Sequence, residues 1–202
     1  RFINQVKNGH DKVLEQPLVD ILKQRGFLYE ANVKAIQNGK QTISLIIKGL
    51  GEIDLLFIDP QKKVLYVGEC KHIRAKYDAV GWRRDYQHFV RDYEPQLTSK
   101  VAWATQNLAA VAAHFSFTSK RVIDLAGYQV EGIFVINAPT IYLYDGAFRT
   151  FTISTFRRLV NGHYREYKIR YTPRDRKPEH LIGMPYFKNA AAIMAAATAA
   201  GG

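Results

Sequence analysis

Cysteine is nearly absent from this chain: Cys70 is the only one in 202 residues. A lone thiol excludes an internal disulfide and a cysteine-based zinc site, and it suits a reducing compartment, so a cytoplasmic protein is expected. Long apolar runs are missing too. None approaches the roughly 20 residues that span a bilayer, and no signal-peptide pattern is visible, so no membrane partner is expected. Acidic residues are in short supply, 18 Asp and Glu against 29 Lys and Arg, leaving a net charge of +11. That excess favours an anionic partner, with nucleic acid first. The six histidines follow no metal-ligand spacing, which argues against zinc. No glycine-rich phosphate loop is present, which argues against intrinsic nucleotide hydrolysis.

What is there is a composition that folds. With 47% hydrophobic and 12% aromatic residues, the chain can bury the core of one domain. Residues 1–188 read as that domain, with a basic extension from about 149, and 189–202 as an Ala-rich tail with little to bury. The chain begins at Arg1 and not Met, as a piece of a longer polypeptide would.

Residues 51–71 hold the clearest chemistry. Two apolar runs, Ile53 to Ile58 and Val64 to Val67, read as short strands folded back on each other by a turn at Asp59-Pro60. Asp54 interrupts the first run, and Glu69 and Lys71 close the second. Charges placed where strands bury apolar side chains need a partner, and a metal ion would supply one. Alternation puts Glu69 and Lys71 on one face and Cys70 on the other. As a nucleophile Cys70 would need a base and an exposed, electropositive setting, which this mid-strand position does not offer.

Asp54 followed by Glu69-Cys70-Lys71 at the ends of adjacent apolar strands resembles the active site of the PD-(D/E)xK nuclease superfamily, which includes Holliday-junction resolvases and Mrr-like restriction enzymes. Ile53 stands where the family signature has a proline. The resemblance implies an α/β fold with a restriction endonuclease-like core, a mixed β-sheet flanked by helices in the order αβββαβ. It also implies a metal-dependent DNA endonuclease. Asp54, Glu69 and the backbone carbonyl of Cys70 would hold Mg2+ or Mn2+ through oxygen, and Lys71 would orient or activate the attacking water. By the same resemblance Glu15, on the helix before the sheet, would be a second metal ligand or would orient a water. An ordinary solvent-facing glutamate is the alternative. Gly9 lies six residues before Glu15, where many relatives place a glycine four before the acid. An exonuclease of the same superfamily and a non-catalytic nucleic-acid-binding module are the alternatives for function. A homodimer would suit two-strand cleavage.

Periodicity and turn residues set expectations for the rest of the chain. Leu14, Leu18, Ile21 and Leu22 give an amphipathic helix over 10–25, stopped at Gly26. Asn38-Gly39 between two β-rich runs, 27–36 and 41–48, predicts a hairpin, and 42–58 reads as one long strand bent at Gly49 and Gly51. Trp82, Tyr86, Phe89 and Tyr93 form an aromatic helical stripe whose expected role is core packing. Arg84, Gln87 and Arg91 on the opposite face read as solvated or as phosphate contacts. Pro95 is expected to end that helix, and Leu97 to Phe115 to form one further helix. A buried strand is predicted over 128–137 and a short helix over 151–160. Tyr164 to Tyr171 reads as a strand with Lys168 and Arg170 on a basic face, a candidate contact to a nucleic-acid backbone.

Overall fold

The computed structural model describes residues 14–39, 41–76 and 78–165, and the backbone of the strands Lys168–Tyr171 and His180–Gly183. The Ala-rich tail, the basic stretch 172–179 and the side chains of Lys168 and Arg170 lie outside the described residues.

The fold is mixed α/β. Its five-stranded sheet runs β1 (Leu28–Val33), β4 (Ile53–Asp59), β5 (Val64–Lys71), β6 (Gln129–Ile136) and β7 (Arg149–Thr152). The first three strands are antiparallel, and β6 and β7 are parallel to β5. β4 and β5 are apolar on both sides because both faces are covered. On one face, Leu14, Leu18, Ile21 and Leu22 of α1 (residues 14–24) and Phe156 of α6 (Ile153–Val160) pack on Leu55, Phe57, Tyr66 and Cys70. Each buried α1 side chain contributes about 2 kcal/mol of transfer free energy. Gly26, at φ +70, ends α1 as expected, and Phe27 N–H donates to the Leu22 carbonyl at 3.1 Å.

The other face carries the helices between β5 and β6. Leu56, Ile58, Leu65 and Val67 meet Phe89, Leu97, Ala104, Val111 and Phe115 there. These come from α2 (Ala79–His88), a π-helical turn (Phe89–Tyr93), α3 (Glu94–Gln106) and α4 (Leu108–Ser119). A hairpin of β2 (Ala35–Asn38) and β3 (Gln41–Ser44) forms around Asn38-Gly39 and covers the same face through Ile36. His114 of α4 ties it down, its Nδ1 accepting from Gln37 N–H at 2.9 Å. A four-residue helix, α5 (Tyr142–Asp145), links β6 to β7, and β8 (Lys168–Tyr171) pairs antiparallel with β9 (His180–Gly183). Among the described residues no helix is long and apolar enough to cross a membrane.

Several sequence expectations change. Residues 27–36 are not one strand: β1 ends at Val33, and Asn32 adopts a left-handed φ of 56 just before that end. Residues 42–58 are likewise two strands, because turns over 45–49 and left-handed Gly49 and Gly51 separate β3 from β4. Pro95 does not end a helix but opens α3, where its missing N–H is harmless. The π-helical turn carries the helical path up to it. The helix expected over 97–115 is split at Asn107, whose φ of −116 and ψ of 28 leave the α region. The stretch Phe151-Thr152 belongs to β7, and α6 starts only at Ile153, capped by Thr152.

Candidate active site

The site lies where β4 enters the sheet and β5 leaves it. Gly68 lets the two strands close here, since a Cβ on it would sit 3.2 Å from Leu55 Cβ and 3.3 Å from the Leu55 carbonyl oxygen. One residue further, regular alternation fails. Ala31 pairs with Leu55 and Val33 with Ile53, but Asn32 and Asp54 between them are skipped. Strict alternation would put Ile53 and Leu55 on one face, yet Ile53 joins the α3–α4 side and Leu55 the α1 side. The strand therefore switches faces at Asp54 with no residue inserted and the register kept, and the Asp54 carboxylate turns to β5. Its Oδ2 accepts the Cys70 N–H at 2.7 Å.

Glu69 stands beside it, only 2% exposed. Lys71 Nζ donates to Glu69 Oε2 at 2.8 Å and lies 4.9 Å from the centre of the Tyr93 ring. Lys100, from α3 and 5% exposed, donates to Glu69 Oε1 and also to the Glu52 carbonyl. The electrostatics follow from this crowding. Burial, then the charge of Glu69, pushes the Asp54 carboxyl up to about 7 against the pull of Lys71 and Lys100. Burial alone would lower Lys71, but the charge and hydrogen bond of Glu69 outweigh it and raise it above 10.5. The Cys70 thiol is raised by burial and then by Asp54, Glu15 and Glu69.

Asp54, Glu69 and Lys71 come together; the other residues singled out from the sequence are placed differently. Glu15 is buried on the α1 side, and its Oε2 accepts from Asn32 Nδ2 at 2.8 Å. It is not the solvent-facing glutamate of the alternative reading. Cys70 buries its side chain among the α1-side residues, as alternation predicts, and its hydrogen bond to the site is made by its N–H. Arg84, Gln87 and Arg91 are exposed, and Arg91 is forked onto Asp92 by two bonds of 2.9 Å. Of the aromatic stripe, Tyr86, Phe89 and Tyr93 pack into the core, whereas Trp82 stays 41% exposed and donates Nε1–H to the Lys76 carbonyl.

Lys100 was missed. Its signal is its position, three residues after Leu97 and four before Ala104, a charge within an apolar stripe. Asn137 was missed as well: its side chain bonds both the N–H and the carbonyl of Ile73, holding the chain just past Lys71. Beside Lys71 a hollow of about 150 Å³ is lined by His72, Arg74, Asp85, His88 and Tyr93. A larger cavity, about 530 Å³, lies at the opposite ends of β4 and β5 against Ile58, Asp59 and Pro60.

No protein-family model, curated protein or solved structure matches the chain. The functional reading therefore rests on the chemistry of the site. Asp54 and Glu69 fit a hard divalent cation in kind, as two carboxylates on adjacent strands. No group of three His, Cys, Asp or Glu able to hold a metal occurs among the described residues. A cation here would thus be held by two carboxylates and by main-chain oxygen or water.

Proposed function

We propose that this protein is a metal-dependent DNA endonuclease of the PD-(D/E)xK type. The observation that carries the reading is the meeting of Asp54, Glu69 and Lys71 where the β1–β4 ladder breaks. The order α1, the β1–β4–β5 meander, helices and β6 supports a restriction endonuclease-like core. The charge of +11 supports a nucleic-acid substrate.

In this reading Asp54 and Glu69 would hold Mg2+ or Mn2+, which would supply Lewis-acid activation of water and charge neutralisation at the scissile phosphate. Lys71, which donates to Glu69 Oε2, would orient or activate the attacking water and add positive charge where negative charge builds up. The Cys70 N–H and the Lys100 ammonium hold the two carboxylates in place.

The test is cleavage of supercoiled plasmid, linear duplex and single-stranded DNA with Mg2+, Mn2+ or EDTA. Metal-dependent nicking or linearisation lost in Asp54→Ala and Lys71→Ala is the expected result, and cleavage that survives EDTA or either substitution would sink it. Degradation from free ends alone would instead indicate an exonuclease. A second reading is favoured by a specific observation: both Glu69 oxygens are already engaged by lysines. A non-catalytic nucleic-acid-binding module would tolerate that closure, and salt-sensitive binding without cleavage of any substrate would support it.

A further inference from the structure

The metal reading leaves one strongly placed group unused. Lys100 lies on the apolar side of α3, among Leu97, Trp103 and Ala104, and is almost inaccessible to water. A buried ammonium is retained only where it is well paired. Its partners are Glu69 Oε1 and the Glu52 carbonyl, at the entry to β4. The same carboxylate also faces Lys71, but the two lysines differ in freedom. The Lys71 side chain is 17% exposed at the edge of the site, while that of Lys100 is 6% exposed. Lys71 can swing toward solvent when another cation arrives. Lys100 cannot do so without drawing a charge through the α3 packing or leaving the Glu52 carbonyl without this donor.

Resting on the nuclease reading, we infer that Lys100 is a built-in counterion that sets the metal affinity of the site by competing for Glu69. It is a positioning residue, not one that touches substrate. In the metal-free protein it holds the Glu69 carboxylate in place. When a divalent cation binds, its charge remains and opposes the second positive charge. Screening by water is weak at such a buried position, so removing it tightens cation binding by about tenfold or more. Removing Lys71, which is nearer solvent and able to move away, has a smaller effect.

The test is Mn2+ binding to the full chain by titration calorimetry, for the wild type and for Lys100→Met, Lys100→Gln and Lys71→Met, with circular dichroism to verify folding. Gln keeps a hydrogen-bond donor toward Glu69 without the charge, so it decides the matter if Met does not fold. The expected result is Mn2+ affinity raised at least about tenfold in the folded Lys100 variants and less in Lys71→Met. Unchanged or weaker binding in the Lys100 variants, or an equal gain in Lys71→Met, would overturn the proposal. Metal-dependent plasmid cleavage by the wild type, scored in parallel, separates the two readings. Cleavage without the affinity gain rejects the role of Lys100 and keeps the nuclease. The gain without cleavage keeps Lys100 as counterion and rejects the nuclease. Absence of Mn2+ binding in every variant overturns both.

Discussion

The Glu69–Lys100 pair allows a stability prediction that needs no assumption about catalysis. Glu69 is 2% and Lys100 5% exposed, so breaking the pair leaves a charge in the interior. The two single substitutions are unequal. Glu69→Leu strands Lys100 with only the Glu52 carbonyl and also deprives Lys71 of its partner. It should cost about 3–5 kcal/mol, the range for a broken buried pair. Lys100→Met leaves Glu69 still bonded to Lys71 at 2.8 Å, so its cost should be smaller, about 1–3 kcal/mol. The double variant replaces both charges with apolar side chains and should cost well below the sum of the two single costs. In the double-mutant cycle the lost Glu52 contact and the unpartnered Lys71 appear on both sides and cancel, which isolates the pair. Urea denaturation of the metal-free protein at pH 7 measures all four corners. We expect a coupling of about 2 kcal/mol, and additivity within about 0.5 kcal/mol would refute the buried pair as the structure has it.

Other predictions concern the surrounding fold. Cys70 is buried with its thiol pushed well above its ordinary value, so it should resist a disulfide reagent such as DTNB in the native protein and react fully in guanidinium; fast native reaction would contradict this placement. Burial pushes the Glu30 carboxyl up, but the hydrogen bond and charge of His114 outweigh it and hold it below 4.5. A depressed carboxyl contributes stability that is present above the unfolded value and lost as pH falls through the folded one. Glu30→Gln should therefore flatten the acid limb of a plot of stability against pH below about 4.5, and an unchanged limb would count against the Glu30–His114 bond. Gly132→Ala should destabilise by about 1–3 kcal/mol, because the added Cβ would meet Val101 and Phe148 atoms at 2.8 Å; thermal unfolding measures it, and a neutral outcome would show that the α3–β6 packing is looser than described.

What the sequence determined alone is local. The apolar runs of β4 and β5, the four-residue stripe of α1 and the Asn38-Gly39 hairpin were legible because side-chain period and turn chemistry are written along the chain. Alternation was enough to put Glu69 and Lys71 opposite Cys70. The breaks were less legible: Asn107 divides α3 from α4 within a continuous apolar pattern, and Pro95 sits in a first turn where the same residue would otherwise mark an end. What only the tertiary structure decided is convergence. Lys100 reaches Glu69 across 31 positions, and the Cys70 N–H reaches Asp54 across 16. The skipped Asn32–Asp54 level, which turns that carboxylate toward β5, exists only once two strands are laid side by side. The acid near 7 and the lysine held above 10.5 depend in turn on which charges share a space from which water is removed, and no order of residues along a chain specifies that.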